Sequence, residues 1–431
     1  MKKVVILGNS MAAIKTVELI KPQIEDCQIF LAPLSDHLSV EKQRYIDMID
    51  HQLKSKQIYY KTKEFYEKNN IKIINEKKVT RVNVSRKKIH FEDRTQLDFD
   101  ILILCDTPDH RYGDLKGTNK VGVFGFRNIK DIEQISTLAA LNDTIAIEAD
   151  QWWGLELSML FSTKKKEVIL SISANHPLLQ GAPEEYKEWV TAKLKSKGIS
   201  LLINNPINEI LGEGDLKAIK TRSGKVYATD LVILENTHLD TRVFNEALEI
   251  SQESIVVDDQ YKTNIEDVYA VDVAAQRSRE LWSSYGPRNE FLEYQAKVLT
   301  AALLKKEESV ELPIPVFHIK KEDFLLFAVG QVTERRGVKS VFKFDAQEGR
   351  FVRLFEKEGR LIGVITLNVA VDPEQVVGRI RDNASVNSFQ EWLLPSTAAE
   401  VISSQDVLIN EVADHSAVED AGNALEQTNS A

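Results

Sequence analysis

The chain has 431 residues, of which 43% are hydrophobic and 28% charged, and no apolar run approaches the ~20 residues of a membrane-spanning helix, which excludes membrane insertion. Two cysteines, Cys27 and Cys105, are too few for a disulfide framework and indicate a protein of the reducing cytoplasm. The net charge of -10 lies almost entirely in the C-terminal tail, because nine acidic residues and no basic residue follow Arg381. The rest of the chain has nearly equal numbers of acidic and basic residues, which disfavours nucleic acid or an anionic membrane as partner.

The first hundred residues alternate between strand and helix patterns. The β-branched run Lys3–Leu7 predicts a strand, Met11–Ile20 has the apolar spacing of a helix, and Gln28–Leu31 predicts a second strand. The apolar run Ile101–Leu104 is typical of a parallel strand buried on both faces. This βαβ beginning predicts a doubly wound parallel sheet.

A second βαβ unit and a separate C-terminal region follow. The second unit comprises strand Thr144–Ile147, helix Gly154–Phe161 and strand Val168–Ile172. A later helix is predicted over roughly Glu293–Leu304, and the charged, proline-containing stretch Lys305–Pro315 predicts a linker. The strands of a small antiparallel domain are then predicted at Val341–Phe344, Phe351–Glu356 and Leu361–Leu367.

The turn between the first strand and helix reads Gly8-Asn9-Ser10-Met11-Ala12-Ala13. Dinucleotide-binding folds need a first glycine here for the tight turn, a second for backbone approach to the pyrophosphate, and a small third residue for helix packing. Gly8, Ser10 and Ala13 occupy these positions, and the serine is a mild obstruction to the phosphate. From these residues alone, phosphate binding and a ligand-free turn both stay open.

The order of several further segments resembles a known family. They are Glu64–Ile71, Val79–Val82, Ile101–Leu104, Gly154–Glu156, Ile255–Asp258, Thr263–Ala270 and Phe351–Leu367. Over roughly residues 1–372 the chain is similar to the NADH:rubredoxin reductase and nitrite reductase large-subunit branch of the pyridine nucleotide-disulfide oxidoreductases. The resemblance implies an α/β fold with two Rossmann-like dinucleotide-binding domains and a small C-terminal α+β domain.

This resemblance also implies a domain division and an FAD site. The implied parts are an FAD-type domain (1–107 and 240–304), a degenerate NAD-type domain (108–239) and the α+β domain (313–372). Independently of the resemblance, composition predicts an acidic, partly disordered tail (382–431), in which the polar stretch Ala413–Ala431 lacks aromatic residues and is predicted to be disordered. FAD would lie with its pyrophosphate near Gly8, Ser10 and Ala13. The other implied cofactor-binding residues are Lys42 and Lys61 as basic positions, Val79 at the adenine edge, Asp272 at the ribityl chain, and Gln295 and Ala296 at the N-terminal end of the last helix, near the flavin ring.

The second turn departs further from the dinucleotide pattern. Ala149 and Gln151 stand at the first two glycine positions, and a carboxylate at Asp150 would repel a pyrophosphate, so NAD(P)H binding in the usual mode is disfavoured. Glu156 matches a family position near the meeting point of flavin and nicotinamide and is the candidate catalytic residue, with an ordinary helix glutamate as the alternative. The pair Trp152-Trp153 is interpreted as packing rather than as a cover for the flavin.

Three functions follow from these patterns. The first two are FAD-dependent transfer of electrons to a small redox carrier, from NAD(P)H or from a partner protein. The third is a cofactor-free subunit of a larger redox complex. Within residues 389–412, two short apolar stretches form a candidate docking element for a partner, or pack on the chain's own body. The sequence is compatible with a homo- or hetero-oligomer, and its histidines lack metal-ligand spacing.

Overall fold

A computed structural model describes residues 2–24, 26–33, 38–74, 77–106, 110–111, 115–235, 238–239, 241–244, 247–251, 254–275, 285, 288–321, 323–387 and 402–403. The stretch predicted to be disordered, Ala413–Ala431, lies outside these residues, as does most of segment 389–412. Among the described residues, no helix has both the length and the apolar character needed to cross a membrane.

The helices and strands alternate through most of the chain. The helices are α1 (Met11–Ile20), α2 (Tyr45–Ile49), α3 (Lys63–Lys68), α4 (Ile129–Leu141), α5 (Trp152–Thr163), α6 (Glu184–Lys195), α7 (Asn289–Leu303) and α8 (Pro373–Arg381). The strands up to residue 150 are β1 (Lys2–Leu7), β2 (Cys27–Ala32), β3 (Ile71–Ile73), β4 (Val79–Asn83), β5 (Lys88–Phe91), β6 (Gln96–Asp98), β7 (Ile101–Leu104), β8 (His110–Arg111), β9 (Val123–Gly125) and β10 (Thr144–Glu148). They are followed by β11 (Glu167–Ile172), β12 (Ile199–Ile203), β13 (Ile207–Leu211), β14 (Ala218–Thr221), β15 (Val226–Ala228), β16 (Leu231–Leu234), β17 (His238–Leu239), β18 (Ile250–Ser251), β19 (Ser254–Ile255) and β20 (Val268–Ala270). The last strands are β21 (Val316–Lys321), β22 (Phe324–Gly330), β23 (Lys339–Asp345), β24 (Arg350–Lys357), β25 (Arg360–Leu367) and β26 (Ile402–Ser403).

The chain forms two compact units, residues 1–171 with 205–313, and residues 172–204 with 314–431. The boundary after residue 313 falls inside the predicted linker Lys305–Pro315. The α/β fold class predicted from the sequence is confirmed by the parallel sheets of the first unit. The finer division into an FAD-type, an NAD-type and a C-terminal domain stays a prediction.

The first parallel sheet has the strand order β20-β7-β1-β2-β3. Its central strand β1 is buried on both faces from Val4 to Leu7, which explains the continuous apolar run in the sequence. Helix α1 packs against α7 beside this sheet. The strand order reverses beside β1, and in doubly wound sheets ligands bind outside the carboxyl ends of the strands at that point.

The second parallel sheet repeats this arrangement with strands β11-β10-β16-β9 in the first unit. The chain leaves β10 through Ala149 and enters α5 at Trp152, two residues before the predicted start. Gly154 lets the helix approach the turn closely, because a Cβ added there would lie 2.4 Å from the Cβ of Ala149. The second crevice is therefore bordered by the end of β10 and the first turn of α5.

The second unit is built on an antiparallel sheet, β21-β22-β25-β24-β23-β26. Its core contains Arg353, which is 0% exposed. The Arg353 guanidinium donates to Ser340 Oγ at 2.9 Å, to Glu334 Oε1 at 2.7 Å and to the Gln180 carbonyl oxygen. These bonds tie residues of segment 172–204 to the sheet, because a buried guanidinium needs an acceptor for each of its donors.

Several elements were missed or misplaced by the sequence patterns. Helices α4, α6 and α8 and strands β21 and β22 were not predicted. Helix α7 begins at Asn289, so the predicted start near Glu293 was wrong. The first turn of α7 contains polar Asn289 and Glu290, which hid the helical periodicity that begins with Phe291.

We expect Gly154→Ala to destabilise the protein by about 1–3 kcal/mol, because the new methyl group would overlap Ala149. Gly378→Ala in α8 is the matched control, since a Cβ at that helical position meets no atom within 4 Å. There alanine should stabilise by about 0.5–1 kcal/mol through helix propensity. Urea unfolding followed by circular dichroism measures both, and equal midpoints for the two variants would contradict the close packing of α5.

Candidate functional site

The turn after β1 requires a glycine at its first position. Gly8 has φ +107°, and a Cβ there would lie 3.0 Å from both the backbone nitrogen and the Cβ of Asp106. Asp106 follows β7, the strand that pairs with β1. The main chain at Gly8 therefore passes tightly beside the residue at the end of the neighbouring strand, as dinucleotide-binding turns require.

Ser10 caps helix α1 with its own side chain. Its Oγ accepts a hydrogen bond from the Ala12 N–H at 3.1 Å, and the hydroxyl also hydrogen-bonds the carboxylate of Asp272. Ala13 on the same turn is fully buried, in keeping with a small residue at the third position of the pattern. One amide at the helix N-terminus is thus satisfied by a neutral hydroxyl.

Asp272 lies beside the turn that follows β1, and we call this region of the first parallel sheet the first crevice. The residue is 6% exposed and has φ +55°. Its backbone N–H donates to Gln295 Oε1 at 2.8 Å. Burial raises the pKa of the Asp272 carboxyl above its usual range, while Lys42 and the hydrogen bond from Ser10 oppose the shift. The four residues Gly8, Ser10, Asp272 and Gln295, together with Lys42, make up what we call the first cluster.

The remaining candidates of the FAD site lie elsewhere in the first unit. Lys61 forms an ion pair with Glu18 at 2.9 Å, and Val79 is buried in β4, where it pairs with Phe91. Ala296 is the eighth residue of α7, so its expected place at the N-terminal end of that helix was wrong. Its amide lies beyond the first turn, where N–H groups lack acceptors within the helix.

Both cysteines are buried thiols. Burial raises the pKa of Cys105 well above its usual value, and neighbouring Asp272 and Asp106 raise it further. Burial also raises the pKa of Cys27. Because the thiolate is the reactive form, these environments favour an inert role for both residues.

The second crevice differs from the first in the side chain that binds the main-chain N–H groups at the start of its helix. One oxygen of Glu235, Oε2, accepts hydrogen bonds from the backbone N–H groups of both Asp150 and Gln151, the latter at 3.0 Å. Glu235 directly follows β16, the strand that pairs with β10. The main-chain donors before α5 are therefore bound by a carboxylate of the chain itself, and the site does not fit the diphosphate of a nicotinamide nucleotide.

Two further carboxyl groups adjoin Glu235. Glu148 Oε2 accepts a hydrogen bond from the Ile207 N–H at 2.5 Å. Burial, with a smaller contribution from Asp150, raises the pKa of Glu148 to about 7 and that of Glu235 to about 8. Three acidic side chains thus gather at this turn, where the sequence indicated only Asp150, and Glu235 lies 85 positions away from it in sequence.

The tryptophan pair at the start of α5 is packed, as predicted. Trp152 is 0% exposed, and the Trp153 ring stacks on Phe126 with 4.1 Å between centroids and 8° between planes. Tyr45 meets Phe126 edge to face at 5.6 Å. Glu156, the candidate catalytic residue, lies one turn further along α5 and is half-buried.

Comparison with known proteins gives consistent matches. A family model described as pyridine nucleotide-disulphide oxidoreductase matches residues 2–285. The chain is 22% identical over 398 residues to the NAD(P)H nitrite reductase of Bacillus subtilis, covering 90% of this chain and 48% of that protein. It is 23% identical over 318 residues to the rubredoxin-NAD(+) reductase of Pseudomonas putida, covering 72% of this chain and 80% of the relative. The crystal structure of a covalent putidaredoxin reductase–putidaredoxin complex matches with a TM-score of 0.71 at 18% identity, covering 89% of this chain and 93% of the matched one. The chain thus spans about half the length of the nitrite reductase.

We expect the carboxyl of Glu235 to make the fold less stable as pH rises. Its pKa is raised to about 8 in the folded state from 4.5, so the folded chain holds a proton that the unfolded chain has released. Stability from this group is therefore full below about pH 4.5 and falls as pH rises toward 8. Glu235→Gln removes this titration, and its stability relative to the wild type should grow by about 1–3 kcal/mol between pH 5 and pH 8.5.

Chemical unfolding at a series of pH values measures this difference. Glu213→Gln is the control, because Glu213 is an exposed glutamate in the same unit. A pH profile of Glu235→Gln parallel to that of the wild type would show that the carboxyl titrates as an ordinary glutamate.

Proposed function

The chain belongs to the pyridine nucleotide-disulphide oxidoreductase family, and we propose that it is an FAD-dependent redox protein that transfers electrons between NAD(P)H or a partner protein and a small redox carrier. The first cluster is the observation that carries this proposal. Its tight glycine turn, hydroxyl-capped helix and neighbouring lysine suit a diphosphate held against the main chain. Bound FAD would supply the hydride and electron chemistry.

Each residue of the first cluster has a task in this proposal. Gly8 and Ser10 would border the pyrophosphate, and Lys42 would balance its negative charge. Asp272 would face the polyol chain of the flavin, with its backbone held by Gln295 at 2.8 Å. Lys61, Val79, Ala13 and Ala296 stay predicted members of the site, and Glu156 stays the predicted catalytic residue.

The partner side of the proposal draws on the relatives. One matched structure joins a reductase to putidaredoxin, and one relative is named for rubredoxin, so a small redox protein of the rubredoxin or putidaredoxin kind is the carrier that we propose. We also propose a cytoplasmic location. Segment 389–412 stays the predicted docking element, and its described residues Ile402–Ser403 pair with β23.

A cofactor-free subunit is the second candidate function, and a specific observation favours it. The carboxyl groups of Asp106 and Asp272 both adjoin the turn at Gly8 and Ser10, where a pyrophosphate would bring further negative charge. Protonation of buried Asp272, or its pairing with Lys42, would lower this repulsion.

We expect protein purified after incubation with FAD to show the visible absorption bands of a bound flavin, because the first cluster retains its phosphate-binding turn. Gel filtration followed by absorption spectroscopy measures the flavin that stays with the chain. A featureless visible spectrum at full saturation with FAD would reject the flavoprotein and favour the cofactor-free subunit.

We expect Lys42→Ala to weaken FAD binding about tenfold, because an ammonium near a buried diphosphate site contributes on the order of 1–2 kcal/mol. Quenching of flavin fluorescence during titration gives the dissociation constant. Lys61→Ala is the comparison, and a smaller loss is expected because Glu18 holds that ammonium at 2.9 Å. Equal affinities of Lys42→Ala and the wild type would contradict the placement of the phosphate site.

A further inference from the structure

The N-terminus of helix α5 is the place in the second parallel sheet where a dinucleotide would bind. The strand order β11-β10-β16-β9 reverses beside β10, and the crevice outside the carboxyl ends of β10 and β16 lies at that reversal. Main-chain N–H groups at such a position bind the phosphate oxygens of a nucleotide. Here the N–H groups of Asp150 and Gln151 both donate to Glu235.

We propose that Glu235 is a built-in occupant of this diphosphate position, that the second dinucleotide-binding fold therefore excludes NAD(P)H, and that electrons enter the protein from a partner protein. A carboxylate oxygen makes the same kind of hydrogen bond to these amides as a phosphate oxygen would. Because Glu235 is attached to the end of β16, its effective concentration at the amides is set by the fold and needs no ligand in solution.

The surroundings of Glu235 strengthen the exclusion. Glu148 and Asp150 add two further carboxyl groups beside the same turn, so an incoming diphosphate would meet acidic side chains, whose ionised forms it repels, even if Glu235 moved aside. These carboxyl groups do not form a metal site, since the described residues contain no group of three or more His, Cys, Asp or Glu side chains placed to hold a metal ion.

The first turn of α5 is also held in place by packing. Trp152 is fully buried, Trp153 stacks on Phe126, and Gly154 contacts Ala149 closely. The turn thus has Ala149 and Gln151 at the two positions where dinucleotide-binding turns have glycine. A ligand that displaced Glu235 would have to fit against this rigid turn.

The first test uses the wild-type protein with NADH. Isothermal titration calorimetry with NADH should show no binding at millimolar concentrations when FAD is present in excess, so that the first cluster is not open to NADH. Binding of NADH with a micromolar dissociation constant that FAD does not displace would overturn the proposal. Binding that FAD displaces belongs to the first cluster and bears only on the proposed function.

The second test frees the amides by Glu235→Ala. Pyrophosphate is the probe, and at ten times its dissociation constant it should raise the melting temperature of this variant by about 2–4 °C more than that of the wild type, in which only the first cluster is open to it. Glu148→Ala is the matched control, because it removes a neighbouring carboxyl group but leaves Glu235 on the amides. Equal responses of Glu235→Ala and Glu148→Ala to pyrophosphate would reject Glu235 as the occupant. If Glu235→Ala does not fold, the titration of the wild type still decides.

A third measurement separates the electron donors. If the protein is loaded with FAD, rapid mixing with NADH should leave the flavin absorption unchanged, while dithionite should bleach it. Bleaching by NADH at a rate that saturates with its concentration would overturn the exclusion, even though the proposed flavoprotein function would then be supported.

Discussion

In each of the two parallel sheets, a helix follows a central strand, and the main-chain N–H groups at the start of that helix need hydrogen-bond acceptors. The helices are α1 after β1 and α5 after β10. This constraint follows from helix geometry, since the first donors of a helix have no acceptor within it. At α1 the acceptor is the hydroxyl of Ser10, which is small and neutral. At α5 the acceptor is a carboxyl oxygen of Glu235, an acidic side chain that comes from the end of a different strand. The two sites thus share a backbone plan and differ in the side chain that binds these donors.

The first cluster depends on contacts among residues that are distant in sequence. Asp272 reaches Ser10 through its side chain and Gln295 through its backbone, so a strand end, a helix cap and the last helix of the first unit meet at one point. The tight passage of Gly8 beside Asp106 sets the position of that helix cap. A diphosphate at this point would be held mainly by main-chain geometry, and the side chains would tune its charge balance.

The sequence predicted the parts of the fold that depend on local patterns. Strand β1, helix α1 and the turn at Gly8 follow from apolar periodicity and one glycine, and they form as predicted. Glu235 was missed because its role depends on β16 pairing beside β10, a contact 85 residues apart that no local pattern reveals. A local signal was present, since Glu235 directly follows the buried strand Leu231–Leu234, at the carboxyl end where doubly wound sheets bind their ligands. Helix α6 escaped prediction because its buried residues, Tyr186, Val190 and Leu194, are separated by charged residues, which gives a low mean hydropathy.

The buried guanidinium of Arg353 has a consequence for any attempt to express the second unit alone. A fragment that begins after the linker would contain Glu334 and Ser340 but would lack the Gln180 carbonyl, which belongs to a segment far upstream. Such a fragment would bury a cation with an incomplete set of acceptors, a defect that generally costs several kcal/mol. Residues 172–204 and 314–387 therefore have to be kept together in any fragment or chimaera. Recombination between relatives at the linker would combine segments from different proteins that fold together here.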